Sequence, residues 1–209
     1  MDRQQRLPTL YLIRHGETAW SLTGQHTGST DIPLTRNGEA MARELAPLLQ
    51  SARIHSVLTS PLQRARRTCA LAMPGADPTI EPDLAEWDYG AYEGLLTSEI
   101  RQTNPGWNVF RDRCPGGEAL PQVVARADRL LLRLKAMPGS TALVSHGQFG
   151  AVLAARWAGL AGEAGEHFAL DPASLSILGP KSGHPEVPVI TRWNVVPIDR
   201  LLLAEAAAG

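Results

Sequence analysis

Two short apolar runs of the chain end in nearly the same three residues. Leu10-Tyr11-Leu12-Ile13 is followed by Arg14-His15-Gly16, and residues 141–144 are followed by Ser145-His146-Gly147. Arg64 lies one turn into the helix that is predicted after a third apolar run. In open α/β sheets, ligands bind beyond the carboxyl ends of the strands. We therefore expect these histidines and arginines to meet at one edge of a sheet.

The residue types at this edge suit a phosphoryl group. A phosphate dianion needs several hydrogen-bond donors, and an arginine can meet two of its oxygens at once. A neutral imidazole nitrogen can attack phosphorus, and water can later cleave the phosphohistidine that forms. A charged His146 beside Arg14 and Arg64 would add to the stabilisation of the transition state. The pattern therefore indicates phosphoryl transfer with His15 at its centre.

Such chemistry also needs an acid for the leaving alkoxide, and a short acidic and aromatic stretch offers three candidates. Glu86 is preferred, because a carboxyl among rings such as Trp87 and Tyr89 can have its pKa raised toward neutrality. Asp88 and Glu93 lie close by in the sequence. Spacing alone does not choose among the three carboxylates.

The elements that must position these residues alternate between strands and helices, which indicates an α/β domain with a largely parallel sheet. The run at 10–13 is typical of a strand buried on both faces. Ser60-Pro61 is predicted to begin a helix as its N-cap and first residue. Strands are predicted at 10–13, 54–59, 141–144, 175–178 and 187–196. Helices are predicted to begin at about residue 37 and at residue 60, and to span 97–103, 118–135 and 148–157. Residues 201–209 are predicted to form a frayed helical end.

No repeat, low-complexity tract or linker divides the sequence, so we expect one domain over residues 1–209. Residues from about 82 to 117 differ from the rest, because aromatic, glycine, proline and acidic residues crowd into them. We interpret this stretch, called the excursion below, as irregular structure that borders the site.

The composition of the chain limits the kinds of partner that it is expected to bind. Twenty basic and 21 acidic residues give a net charge of −1, whereas a nucleic-acid-binding surface normally shows a basic excess. Cys69 and Cys114 are not in metal-ligand spacing and are expected to be free thiols. No stretch approaches the roughly 20 apolar residues of a membrane span. We expect a cytoplasmic protein with no nucleic-acid or membrane partner.

Four motifs in order resemble the signature of the histidine phosphatase superfamily, whose fold is the phosphoglycerate mutase-like three-layer sandwich. They are Leu12-Ile13-Arg14-His15-Gly16-Glu17-Thr18, Ser60-Pro61-Leu62-Gln63-Arg64-Ala65, the stretch from Glu86 to Gly94, and Ser145-His146-Gly147. The resemblance implies a nucleophilic His15, a phosphate pocket of Arg14, Arg64 and His146, and Glu86 as proton donor. The histidines do not fall at metal-ligand spacing, and no nucleotide-binding glycine motif is present, so we expect chemistry without a metal or cofactor.

Within the superfamily, several stretches look like the sedoheptulose-1,7-bisphosphatase branch. These are Trp20-Ser21, Gly24-Gln25, Thr27-Gly28, Tyr89 to Leu95, and Trp107-Asn108 with Arg111-Asp112. The resemblance implies a small phosphate ester, of the sugar class, as substrate. It places six residues in the substrate pocket: Ser21, Gln25, Thr27, Gly28, Tyr89 and Gly147.

Two other functions stay open at this stage. A cofactor-dependent phosphoglycerate mutase would use the same nucleophile, but such mutases carry a lysine where this chain has Thr97. A catalytically silent binding member of the superfamily would not need the full set of five catalytic residues. A homo-oligomer is also left open. The remaining histidines are expected to be surface residues: His26, His55, His167 and His184.

Overall fold

A computed structural model describes residues 6–197. These residues form one α/β domain around a six-stranded sheet in the order β3-β2-β4-β1-β5-β6. The first four strands in that order are mutually parallel, whereas β5 is antiparallel to β1 and β6 to β5. The strands are β1 (Thr9–Arg14), β2 (Ser56–Thr59), β3 (Thr79–Ile80), β4 (Ser140–Ser145), β5 (Leu175–Lys181) and β6 (His184–Val195).

The register of the parallel strands explains why distant motifs meet. Arg14 pairs with Ser145 across β1 and β4, and Thr59 pairs with Val144 across β2 and β4. The carboxyl ends of three neighbouring strands therefore lie side by side. The residues that follow each strand, His15 among them, must emerge at the same edge of the sheet.

Two apolar cores lie on opposite faces of the sheet, because side chains of a strand alternate between faces. Leu12 contributes to the larger core and its neighbour Ile13 to the smaller one. Leu143 and Val144 divide in the same way on β4. The predicted three-layer sandwich is confirmed, and so is the prediction that β1 is buried on both faces.

Helices cover both faces of the sheet. The long helix α6 buries the apolar face predicted for it and packs on α7, while α2 packs on α4 across the smaller core. The helices are α1 (Ala19–Thr23), α2 (Arg36–Glu44), α3 (Ala46–Gln50), α4 (Gln63–Ala72), α5 (Thr97–Thr103), α6 (Leu120–Ala136) and α7 (Gly147–Trp157).

Two helix boundaries differ from the predictions. The helix expected from residue 37 is divided at Leu45, because Pro47 lacks the N–H that would continue it. The predicted N-cap Ser60 and first residue Pro61 are wrong: α4 is preceded by Leu62 in extended conformation, without a side-chain cap. The Ser60 hydroxyl instead lies 2.7 Å from Nε2 of His146.

The excursion contains the predicted helix α5 and two turns of 3-10 helix, Pro82–Leu84 and Gly90–Tyr92. A further 3-10 helix, Gly162–His167, and the two-residue strand β3 were not predicted. The frayed helical end expected at 201–209 lies outside the described residues. No helix within residues 6–197 is long and apolar enough to cross a membrane. Both cysteines are free and buried, as predicted.

Candidate active site

His15 follows β1 directly and is buried at the carboxyl edge of the sheet. Its Nδ1 lies 2.7 Å from the carbonyl oxygen of Gly16. Because a carbonyl only accepts, this contact places the ring proton on Nδ1 and leaves a lone pair on Nε2. Burial, together with the charges of Arg14 and Arg64, holds the pKa of His15 well below its usual value of 6.5. The ring is therefore neutral and has a nucleophilic nitrogen.

His146 follows β4 and lies beside His15, with ring centroids 5.1 Å apart. Burial is the main cause that lowers its pKa well below 6.5, and the charges of Arg64 and Arg14 act in the same direction. The expectation of a charged His146 is therefore wrong for the free site. Its Nε2 is engaged by the hydroxyl of Ser60.

The buried Arg64 and the half-buried Arg14 complete this cluster, and backbone carbonyls hold both of them. Arg64 donates from Nη1 to the carbonyl of Thr30 at 2.9 Å and from Nη2 to that of Gly28 at 2.8 Å. Arg14 donates from Nη1 to the carbonyl of Leu170. Burial lowers the pKa of each arginine from its ordinary value.

Three atoms of the cluster have no hydrogen-bond partner although they are buried: Nε of Arg14, Nε of Arg64 and Nδ1 of His146. Buried polar groups are normally paired, because an unpaired one costs about 1–3 kcal/mol. Among the five such side-chain atoms in the described part of the chain, the other two belong to Thr141 and Ser174. Unpaired donors from two cations around a neutral imidazole are what an incoming phosphoryl group requires.

Glu86 lies at the N-terminus of α7, and Tyr89 and Phe110 line the same cavity. One carboxylate oxygen accepts from the backbone N–H groups of Trp87 and Phe149, at 2.9 and 2.8 Å. The other oxygen accepts from the N–H of Gln148 at 3.1 Å. These three bonds fix the carboxyl group of Glu86 at the wall of the cavity that contains His15.

The two competing carboxylates are committed elsewhere. Asp88 accepts from the N–H of Gly90, two residues further along the chain. Glu93 accepts from backbone N–H groups of residues 28–30 and does not line the cavity. Of the three acidic candidates, Glu86 alone lines the cavity beside His15.

A cavity of about 340 Å³ opens onto His15. Five of the six residues predicted for the substrate pocket line it: Ser21, Gln25, Thr27, Tyr89 and Gly147. The sixth, Gly28, is buried and does not line the cavity, and its carbonyl accepts from Arg64. Further lining residues come from segments without a recognisable motif, among them Phe110, Gln148, Glu166, Phe168 and Leu170.

A second cavity of about 420 Å³ adjoins the first and shares His26, Phe110, Gln148 and Glu166 with it. The prediction of a surface role for His26 is therefore wrong. Its ring lies 4.6 Å from that of Tyr89, and its Nε2 is 3.1 Å from Oγ1 of Thr97. The sequence held a signal for this position, because His26 lies between the predicted pocket residues Gln25 and Thr27. His55, His167 and His184 are exposed, as predicted.

The polar side chains of the pocket are partly engaged with the backbone. Ser21 Oγ accepts from the N–H of Thr18 and donates to its carbonyl, and Gln25 Nε2 donates to the carbonyl of Gly94. Burial raises the pKa of Tyr89 well above 10, and the charge of Glu86 adds to this effect. Within residues 6–197, no group of three or more His, Cys, Asp and Glu side chains is placed to hold a metal ion.

Comparison with known proteins agrees with this geometry. The model of the histidine phosphatase superfamily, branch 1, matches residues 10–195. An acid phosphatase of Mycobacterium tuberculosis is 40% identical over 185 residues, which cover 87% of this chain and 91% of that protein. Sedoheptulose 1,7-bisphosphatase of Saccharomyces cerevisiae is 37% identical over 152 residues, which cover 61% of this chain and 56% of that enzyme.

The solved structure of an open reading frame of Mycobacterium tuberculosis superposes with a TM-score of 0.84 at 38% sequence identity. The match covers 91% of this chain and 98% of that one. The family model extends over all four motifs that the sequence analysis singled out. The chain therefore belongs to the histidine phosphatase superfamily, branch 1, and it is a phosphatase of that family.

Proposed function

We propose that the protein hydrolyses small phosphorylated metabolites of the sugar class, without a metal, through a phosphohistidine on His15. The observation that carries this proposal is the neutral His15 ring, together with three buried, unpaired polar atoms of its neighbours Arg14, Arg64 and His146. A phosphoryl group would pair these atoms, and the lone pair on Nε2 of His15 would face phosphorus.

The reaction has two steps. In the first, Nε2 of His15 forms a bond to phosphorus while the bond from phosphorus to the ester oxygen breaks. Protonated Glu86 delivers its proton to the leaving alkoxide. In the second step, water attacks phosphorus and gives a proton to Glu86. The bond from nitrogen to phosphorus then breaks, which regenerates neutral His15 and releases inorganic phosphate.

The shape and lining of the cavity support a sugar phosphate. The second cavity extends beyond His15 and combines aromatic walls, Trp107 and Phe110, with hydrogen-bonding groups such as Asn108. Aromatic walls with a few directed polar groups suit a hydroxyl-rich ligand. The resemblance to the sedoheptulose-bisphosphatase branch points to the same substrate class.

Thr97 supports hydrolysis over mutase activity. This residue occupies the position where mutases carry a lysine, and it lines the second cavity with its hydroxyl against His26. A threonine has no charge to offer the carboxylate of a phosphoglycerate. The net charge of −1 gives no long-range attraction for larger polyanions.

The test compares phosphate release from sugar mono- and bisphosphates, phosphoglycerates and p-nitrophenyl phosphate, with a chelator present throughout. We expect release that the chelator does not reduce, and faster release from sugar phosphates than from phosphoglycerates. The same preparation is assayed for interconversion of 2- and 3-phosphoglycerate. Interconversion faster than any hydrolysis would establish the mutase instead, and no turnover of any ester would establish a binding protein.

A further inference from the structure

Glu93 makes an unusually complete set of hydrogen bonds for a residue outside the cavity. Its Oε1 accepts from the backbone N–H groups of Gly28, Ser29 and Tyr89, at 2.9, 3.0 and 3.2 Å. Its Oε2 accepts from the N–H and the hydroxyl of Thr30, at 3.2 and 2.7 Å. One carboxylate thus collects five donors, four of which come from residues 28–30.

The same loop meets Arg64 with its carbonyl groups. Besides the bonds to Thr30 and Gly28, Nη2 of Arg64 donates to the carbonyl of Thr27 at 3.3 Å. Two consecutive peptide groups therefore connect the two side chains. The peptide after Thr27 and the peptide after Gly28 each direct C=O to Arg64 and N–H to Glu93. Because a peptide group is planar, orienting its N–H also orients its C=O.

We propose that Glu93 is a positioning residue for phosphate recognition, acting through these two peptide planes on the guanidinium of Arg64. The carbonyls hold both Nη atoms of Arg64, and the buried Nε is left without a partner beside His15. This proposal rests on the proposed function in one respect: Arg64 is taken to bind the phosphoryl group.

The direction in which phosphate affinity changes in a Glu93 variant separates a positioning role from a direct effect of its charge. Glu93 lies near Arg64, so removing its negative charge would by itself strengthen the binding of a phosphate dianion. Loss of positioning has the opposite effect, because the loop carbonyls no longer hold Arg64 in place. A purely structural role would lower thermal stability and leave phosphate affinity unchanged in the folded protein.

The experiment measures the dissociation constant of inorganic phosphate by isothermal titration calorimetry at fixed ionic strength. In Glu93→Gln, an amide replaces one acceptor oxygen and presents N–H to backbone N–H. We expect the dissociation constant to rise about tenfold, the equivalent of one charge-assisted hydrogen bond. An unchanged or lower dissociation constant would overturn the proposal. Calorimetry needs no turnover, so a protein that binds phosphate but hydrolyses nothing would refute the proposed function alone.

Two further variants complete the design. In an Arg64→Met background, Glu93→Gln should have no further effect on phosphate binding, and additive effects would contradict action through Arg64. Asp83→Asn is the matched control, because it removes a buried carboxylate that binds Arg129 and Arg133 away from the cavity. This variant should lose stability and keep its affinity for phosphate.

If Glu93→Gln does not fold, Thr30→Val tests the same network more gently. It removes only the hydroxyl that donates to Oε2 of Glu93 at 2.7 Å. We expect the dissociation constant for phosphate to rise by roughly two- to fivefold, a fraction of a full hydrogen-bond contribution. An unchanged value in this folded variant would also overturn the proposal.

Discussion

At the scale of single residues, the site depends on where protons and unpaired donors lie. The Gly16 carbonyl keeps the proton of His15 on Nδ1, and burial between two arginines keeps the ring neutral. Glu86 is held by three backbone N–H groups at the wall of the same cavity. The proposed nucleophile and the proposed acid are thus oriented by main-chain groups, which a conservative side-chain substitution leaves in place.

The role of Glu86 can be tested through the leaving group. Glu86→Gln keeps the size of the side chain but has no proton to transfer. We expect turnover of a sugar phosphate to fall by roughly 10²–10⁴-fold, and that of p-nitrophenyl phosphate to fall far less, because its leaving group needs little protonation. Steady-state rates on both substrates give the comparison. Equal losses would mean that Glu86 only positions other groups.

The sequence predicted that Arg14, His15 and His146 lie close together, because Arg14 ends β1 and the two histidines directly follow strands that end at one edge of the sheet. It named Glu93 only as a candidate acid, because the hydrogen bonds of this residue depend on how residues 28–30 fold back against it. It also misassigned the charge of His146, because burial beside two arginines cannot be derived from spacing.

At the scale of elements, the backbone that follows β1 lies in close contact with the backbone of α2. Gly38, in the first turn of α2, lies so close to Glu17 that an added Cβ would collide with the carbonyl oxygen and backbone nitrogen of Glu17. Gly16 faces the carbonyl of Gly38 in the same way. The backbone segment that carries His15 therefore packs directly against the first turn of α2.

This contact predicts a combined loss of stability and activity in Gly38→Ala. The added methyl group must displace backbone, which costs about 1–3 kcal/mol in a packed region, and the displacement reaches His15 through Gly16. We expect a lower free energy of unfolding in urea and a lower kcat for the variant. Ala40→Gly on the same helix is the control: it should cost roughly 1 kcal/mol with kcat retained. An unchanged kcat in a destabilised Gly38→Ala variant would show that this backbone contact contributes to stability alone.

Strongly patterned elements were predicted closely, whereas weakly patterned ones were not. The apolar runs of β1 and β4 and the helical spacing of α6 place these elements within about two residues of the predicted bounds. Strand β3 has two exposed residues and no pattern to recognise. The 3-10 helix Gly162–His167 is short and rich in glycine, so its contribution of Glu166 to the cavity was not foreseen.

At the scale of the whole molecule, folding buries two neutral histidines. The pKa values of His15 and His146 are lowered well below 6.5 in the folded chain, chiefly by burial. Below pH 6.5 the unfolded chain binds protons that the folded chain does not. Because stability rises with pH wherever the unfolded state binds more protons, stability must fall as the pH drops below that value.

The prediction is a free energy of unfolding that decreases from about pH 6.5 downward, by up to about 1.4 kcal/mol per pH unit for each histidine. Urea titrations between pH 7.5 and 5 measure it. His146→Asn should reduce the slope, and His184→Gln, at an exposed position, should leave it unchanged. Saturating inorganic phosphate should also reduce the slope, because a dianion stabilises the charged rings. A flat profile from pH 7.5 to 5 would contradict burial of neutral rings.

The most direct measurement is rapid-quench trapping of a substrate labelled with phosphorus-32, followed by mapping of the labelled peptide. We predict an acid-labile, alkali-stable label on His15 that forms and decays at least as fast as turnover. His15→Ala should lose the label and at least several orders of magnitude in kcat, whereas His26→Gln, altered elsewhere in the cavity, should keep the label on His15. Label on another residue, or near-normal turnover in His15→Ala, would contradict the phosphohistidine mechanism.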